Sequence, residues 1–221
     1  MYRIVACVLF VVCLSLPVAC NTSSAAVKIP DPATDSPLAK SKSKETAVLA
    51  GGCFWGIQAV FEHVKGVSAV TAGYSGGTAQ TAQYETVSTG ATGHAESVKI
   101  VYDPSRISYG QLLKVYFSVA HDPTQLNRQG PDDGTQYRSV IFYAGEEQRC
   151  VAEAYIDQLN KAKAFSSAIV TQVVPLKGFY AAEDYHQDYA VHHPDDLYIR
   201  MNDLPKVEHL KQELPELYVK R

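Results

Sequence analysis

The sequence predicts a two-layer α+β domain with a β-α-β-β-α-β core. Three observations carry that expectation. Short runs with a period of two alternate with longer runs whose apolar residues recur every three or four positions, from about residue 46 to residue 174. Gly, Pro, Asp and Asn clusters punctuate those runs. The chain has 221 residues, 46% hydrophobic and 19% charged, enough for one well-filled domain and too apolar for a disordered chain.

The elements follow in order. Thr46–Ala50 is a short apolar strand ended by Gly51 and Gly52. From Phe54, apolar residues at 57, 60, 61 and 64 form a helical face, with Gly66 expected as the residue that ends the helix. Val67–Tyr74 alternates as a strand, and Gly76–Gly77 opens a long polar connection. Glu96–Tyr102 is a strand stopped by Asp103–Pro104. Ser108 can cap a helix that buries Leu112, Leu113, Val115, Tyr116 and Val119. A loop rich in Asp, Gly, Pro and Asn runs from His121 to Gln136. Tyr137–Tyr143 reads as a strand, Glu146–Lys163 as a helix and Ala168–Val174 as a strand. This order matches the ferredoxin-like split β-α-β pattern, followed by one more helix and strand. Beyond Pro175 a long loop and short-helix extension, rich in Tyr and His, is expected.

The ends of the chain differ from this body. Arg3, then the apolar run Ile4–Leu14, then small residues up to Cys20 resemble a secretory signal, and it is too short for a confident membrane span. Cys20 behind Ala19 also resembles a bacterial lipoprotein cleavage site, although Pro17 departs from that pattern. Lipidation at Cys20 and plain cleavage nearby both stay open. Residues 21–44 are Ser-, Pro- and Lys-rich without period and read as a disordered tether. The expected organisation is a signal over 1–20, a tether over 21–44 and one domain over 45–221, exported to the bacterial cell envelope or periplasm. Of the 20 Lys/Arg and 23 Asp/Glu, five and two fall within residues 1–44. The remaining 15 and 21 give the domain a balance of −6, which offers nucleic acid no electrostatic footprint.

Gly51-Gly52-Cys53-Phe54-Trp55-Gly56 carries the most chemical information. Paired glycines permit a sharp strand-to-helix turn. Cys53 then falls at the start of a helix, where unpaired N–H groups favour a thiolate and should lower its pKa. Phe54 and Trp55 could line an apolar cup beside the sulfur. The competing reading is a small buried core cysteine. Glu96 heads an otherwise apolar strand, where a carboxyl can hold its proton at neutral pH; a solvent-facing strand residue is the alternative. Tyr84, Tyr137, Tyr180, Tyr185 and Tyr189 are candidate phenol donors that residue type alone does not rank. Gly130–Gln136 is a turn-rich segment suited to binding or to a plain surface turn. His186, His192 and His193 come with no paired cysteine, so no metal site is expected.

GCFWG, AGYSGG, Tyr84, TGHAESVKIVYDP, HDPTQLNRQGPDDGTQYRS and FYAAEDYHQDY, in this order, closely resemble the A-type peptide methionine sulfoxide reductase family. The resemblance runs from about Thr46 to Tyr189. It implies a ferredoxin-like fold and thiol-dependent reduction of the S epimer of methionine sulfoxide, free or in oxidatively damaged proteins. It implies Cys53 as nucleophile, with Tyr84, Glu96 and Tyr137 bonding the sulfoxide oxygen. Phe54 and Trp55 would hold the methyl group, and Asp132 would lie in the substrate loop, where Pro131 replaces a common Asn. The implied chemistry leaves Cys53 as a sulfenic acid, returned to the thiol by thioredoxin or another outside thiol, with no tightly bound cofactor. Many relatives carry resolving cysteines near the C-terminus, whereas Tyr189–Arg221 here contains none. Cys150 is the remaining cysteine of the domain and is weighed as a resolving thiol against a packing role. A monomer is expected. Two rival readings are a Cys–His hydrolase or acyltransferase with His94 or His186 as base, and a non-catalytic binder of methionine-rich or oxidised segments.

Overall fold

Thr46–Ala50 alternates between two cores: Ala47 and Leu49 enter the main one, and Val48 and Ala50 enter a smaller one on the opposite face. The strand is therefore buried on both sides, which explains its continuous apolar character. A computed structural model describes residues 28–221. Its elements are β1 (Glu45–Ala50), α1 (Phe54–Glu62), β2 (Val67–Ser75), a one-turn α2 (Tyr84–Val87), β3 (Ala95–Tyr102) and α3 (Tyr109–Val115). A two-stranded hairpin follows, β4 (Arg128–Gln129) and β5 (Asp132–Asp133), then β6 (Val140–Tyr143), α4 (Glu146–Lys161) and β7 (Gln172–Pro175). The extension holds β8 (Phe179–Ala181), α5 (Tyr189–His192) and α6 (Leu204–Glu213).

The main sheet has the order β7-β6-β1-β3-β2-β8. Its inner four strands, β6-β1-β3-β2, pair antiparallel throughout, which is the ferredoxin-like arrangement read from the sequence. β7 adds parallel to β6, and β8 adds antiparallel to β2. β7 and β8 occupy opposite edges, yet three residues connect them. The sheet must therefore curl strongly. Leu176 and Phe179, at the two ends of this link, pack on the smaller core. Val60, Leu112, Leu113, Tyr155 and Leu159 of α1, α3 and α4 pack on the other face, the main core.

Several boundaries differ from the sequence reading. The α1 helix stops at Glu62, and Gly66 instead makes the turn into β2 at a φ of +91°. Tyr137 lies in a 3-10 turn (Thr135–Tyr137), and the strand begins only at Val140. Arg138 turns away from the sheet to donate to the Gly93 and His94 carbonyls, each at 2.9 Å. β7 begins at Gln172, because Ile169 and Val170 are held by Asn160 and by the Pro123 carbonyl. Ser108 caps α3 as expected, with a reciprocal bond to Gln111.

The tether reading needs correction over residues 28–44. This segment lies along the domain: Ile29 is buried, Tyr155 donates to the Pro30 carbonyl at 2.7 Å, and Asp35 accepts from Gly110 N at 2.8 Å and from the Ser108 hydroxyl. Polar anchors supply what its apolar residues cannot. The signal and lipidation expectations at residues 1–20 lie outside the described residues.

Candidate active site

The site forms where β1 ends and the antiparallel β3 begins. Glu96 shares the face of β3 that carries Val98, Ile100 and Tyr102 into the main core, so the strand's period of two aims its carboxyl at the helix layer. The start of α1 lies there. After Ala50 the chain turns through Gly51 and Gly52. Gly52 has a φ of +100°, and a Cβ on it would come 2.6 Å from the Gln129 side chain. Only glycine fits both restraints. Cys53 is then the N-cap of α1, with φ −56° and ψ 128°. The next amide, Phe54 N–H, donates to Glu96 Oε2 at 3.1 Å. A free helix-start donor thus pins the carboxyl beside the cysteine.

Burial dominates the electrostatics. Cys53 is 8% exposed and Glu96 2%. Loss of water pushes the Glu96 carboxyl up to about 8, against the pull of the Phe54 amide, and the Asp132 charge raises it further. Glu96 therefore holds its proton at neutral pH. The Cys53 thiol is also pushed well above its ordinary value, first by burial and then by the charges of Glu96 and Asp203, while the Trp55 amide opposes them. This corrects the expectation of a lowered thiol pKa: the helix start is present, but desolvation and nearby acids outweigh it.

The other candidates converge on the same point. The Tyr84 and Tyr137 hydroxyls are pushed up by burial and then by the charge of Glu96, and the charge of Cys53 acts on both. Asp132, on the β4–β5 hairpin, accepts a 2.5 Å bond from Tyr198 OH. Phe54 is fully buried between Tyr74 and His186, so it forms the floor of the cup. Trp55 is half-buried and forms the wall, stacked on Tyr189 at 3.8 Å and 8°, with Tyr198 edge-on at 6.1 Å. Cys150 is exposed on α4 and takes no part in this cluster. Tyr185 is 60% exposed, and Tyr180 stands edge-on to His94 at 5.6 Å.

The two histidines named as possible bases are otherwise engaged. Both ring nitrogens of His94 bond to backbone groups of Gly77 and Thr78. His186 Nδ1 accepts from Trp55 Nε1 at 3.3 Å, and burial lowers the pKa of its ring. Neither bonds to Cys53, which removes the geometric basis of a Cys–His hydrolase.

Sequence reasoning missed much of the second wall. Tyr198, Asp203 and Lys206 all come from the C-terminal extension, and Glu183 ties it down by accepting from Tyr74 OH and Tyr84 N, each at 2.9 Å. Asp203 is fully buried and Lys206 nearly so, paired at 3.2 Å. The signal that could have found them is the Asp203-to-Lys206 spacing of three, which puts both on one helix face next to Leu210.

Comparison with known proteins agrees with this geometry. The family model described as peptide methionine sulfoxide reductase matches residues 45–217. Peptide methionine sulfoxide reductase MsrA 2 of Mesorhizobium japonicum is 62% identical over 174 residues, covering 79% of this chain and 89% of that protein. The protein of the same name from Synechocystis is 55% identical over 187 residues, covering 84% and 87%. Among solved structures, reduced Mxr1 of Saccharomyces cerevisiae is similar at a TM-score of 0.64 and 30% identity, covering 77% of this chain and 96% of that one. Methionine sulfoxide reductase A of Corynebacterium diphtheriae is similar at 0.59 and 33%, covering 80% and 91%. With the family model matching nearly all of the domain and relatives above half identity, this chain belongs to the peptide methionine sulfoxide reductase family.

Proposed function

We propose that the chain reduces the S epimer of methionine sulfoxide, free or in oxidised proteins, with Cys53 as nucleophile and Glu96 as acid. The observation that carries this reading is the Glu96 carboxyl, protonated at neutral pH and held beside Cys53 by the Phe54 amide. A sulfoxide sulfur becomes a good electrophile only when its oxygen is protonated or strongly hydrogen-bonded. Glu96 gives its proton to that oxygen as negative charge develops, and the Tyr84 and Tyr137 hydroxyls donate to it. Cys53 sulfur attacks, and its own proton returns the Glu96 carboxyl to the neutral form. The oxygen moves from methionine sulfur to Cys53 sulfur. Methionine leaves reduced by two electrons, and Cys53 becomes a sulfenic acid.

The thiol does not need to be ionised at rest. A neutral thiol beside a neutral carboxyl is the state of lowest charge in a dry site, and the proton leaves as the sulfur attacks. The stacked Trp55 and Tyr189 rings receive the methyl group. An outside thiol, thioredoxin-like or small, then attacks the sulfenic acid and releases water. A second thiol frees Cys53 and leaves as a disulfide. The signal-like residues 4–20 support export to a bacterial envelope, with an envelope thiol protein as reductant and Cys20 as a candidate lipid anchor; the mass of the mature N-terminus tests this.

The deciding assay offers the separated R and S epimers of a methionine sulfoxide peptide with dithiothreitol. Consumption of S with R untouched is the expected result. Binding of either epimer without turnover would replace this reading with that of a non-catalytic binder.

A further inference from the structure

The acid cluster at Cys53 has one buried cation, and neither the nucleophile nor the acid role explains it. Asp203 ends a π-helical turn (Ile199–Asp203) that leads into α6, and Lys206 follows one turn later. Both are withdrawn from water, Asp203 completely. Asp203 Oδ1 meets Lys206 Nζ at 3.2 Å, while Oδ2 is buried with no partner. The pair sits directly on the first turn of α1. A Cβ on Gly56 would overlap the Asp203 carboxylate and come within 2.7 Å of Lys206 Nζ. The glycine that closes GCFWG is thus the seat of this ion pair.

We propose that Asp203 and Lys206 are positioning residues for the reductase reaction: Asp203 locks the C-terminal helix onto the first turn of α1 at Gly56, and Lys206 balances the charge of the acids around Cys53. The groups that face Cys53 are Glu96 from β3, Asp132 from the hairpin, and Asp203 from the π-turn. The Tyr84, Tyr137 and Tyr198 phenols surround them. Lys206 acts on Asp203, on Asp132 and on His121 behind Gly51. His121, buried and held at about 4, and His186, also lowered, are neutral at pH 7. Among the described residues of this cluster, Lys206 is therefore the positive charge set against Asp132 and Asp203: burial pushes both carboxyls up and Lys206 pulls them back down, while Glu96 keeps the proton the reaction needs. A lone Asp203 here would instead compete with Glu96 for that proton.

Register matters as much as charge. Tyr198 lies five residues before Asp203 and reaches Asp132, and Tyr198 also meets Trp55 edge-on. Fixing Asp203 against Gly56 fixes both contacts.

The test uses the full chain with Lys206→Met, Lys206→Arg and Asp203→Asn. Cys53 alkylation by iodoacetamide is followed against pH by peptide mass spectrometry, which separates Cys53 from the other cysteines. Single-turnover reduction of the S-sulfoxide peptide is measured beside it. Loss of the cation should move the Cys53 midpoint up, and loss of the carboxylate should move it down, each by about one pH unit or more. Lys206→Arg should stay near wild type. Turnover at pH 7 should fall roughly tenfold in Lys206→Met and be largely restored in Lys206→Arg, as expected of an opposite charge within a few ångströms. Midpoints that move in the same direction, or stay put while activity falls, would reduce the pair to packing and overturn the proposal. If Asp203→Asn does not fold, Lys206→Met against Lys206→Arg decides alone: equal midpoints in the two variants overturn it.

Discussion

Among the described residues two cysteines stand near helix starts, and their surroundings are opposite. Cys53 is the N-cap of α1, buried, with Glu96, Asp132 and Asp203 around it and Phe54 and Trp55 next in the chain. Cys150 is in the second turn of α4, exposed, behind Glu146 and Glu147 in the first turn. Arg149 bridges Glu146 and Glu153 on the same surface. A helix start by itself does not make a nucleophile. At Cys53 the helix contributes less to the thiol than to the acid, because its first free amide is spent on Glu96. What separates the two sites is a buried carboxyl that keeps its proton.

The largest effect should come from removing the sulfur. Cys53→Ser should abolish sulfoxide reduction, since a hydroxyl is a weak nucleophile and cannot store the oxidation as a sulfenic acid. Turnover of the S epimer by the purified variant would end the comparison, because Cys53 would then be no more special than Cys150.

Glu96→Gln sharpens it next. The amide still bonds the sulfoxide oxygen but supplies no acidic proton, so the single-turnover rate should fall by ~10²–10⁴-fold with the fold intact. In the wild type, the rate should fall as pH rises past about 8, where Glu96 ionises. Stability falls with rising pH as well. Folding raises this carboxyl from 4.5 to about 8, so its stabilising protonation is complete below about 4.5 and is lost as pH rises through about 8. Glu96→Gln does not carry that burden. Melting curves should show the variant and wild type closest below about pH 4.5, with the variant gaining up to about pH 8 and levelling off above it. A difference independent of pH would mean that Glu96 is not buried as an acid.

Trp55→Ala comes third. It removes the wall of the cup and the stack on Tyr189. Substrate capture should weaken, with KM rising roughly tenfold to a hundredfold and kcat changing less, the range for lost apolar contact in a binding pocket. Steady-state kinetics on the peptide separates the two constants, and a loss confined to kcat would contradict the cup.

The same contrast shows what was legible in the sequence. The N-terminal wall could be read because its signals are local. GGCFWG places a cysteine at a strand-to-helix turn, and Glu96 interrupts an apolar strand. The inner strands followed from periodicity, because each is short and bounded by Gly, Pro or Asp, and their β-α-β-β-α-β succession matched the ferredoxin-like pattern that the sheet shows. The C-terminal wall could not be read. Tyr198 and Asp203 gain meaning only when the extension folds back on α1, through Ala190 and Ile199 packing on Ala59. The Asp203-to-Lys206 spacing marks a helix face, but nothing local marks what that face packs on. The direction of the Cys53 shift was missed for the same reason, since its first cause is burial, followed by the charges of Glu96 and Asp203, and these come together only when the chain packs around the sulfur.

The smallest effect belongs to Cys150→Ser, and it tests the recycling route. A disulfide needs Cα atoms within roughly 7 Å. Gln148, half a turn before Cys150, donates to the Thr46 carbonyl at the opposite end of β1 from the site. Cys53 lies seven residues farther along a mostly extended chain, and at ~3.3 Å per residue the gap is roughly 20 Å. Sixteen residues of α4, packed through Val151, Ala152, Tyr155 and Leu159, would have to leave the core to close it. The variant should therefore turn over with dithiothreitol within about twofold of wild type, the scatter expected of an exposed substitution worth no more than ~0.5 kcal/mol. After one equivalent of sulfoxide, a sulfenic acid trap should label Cys53 in both proteins, and wild type should lose one free thiol. Loss of two thiols in wild type, with the variant stalled after one, would make Cys150 the resolving thiol and place a large opening of α4 within the catalytic cycle.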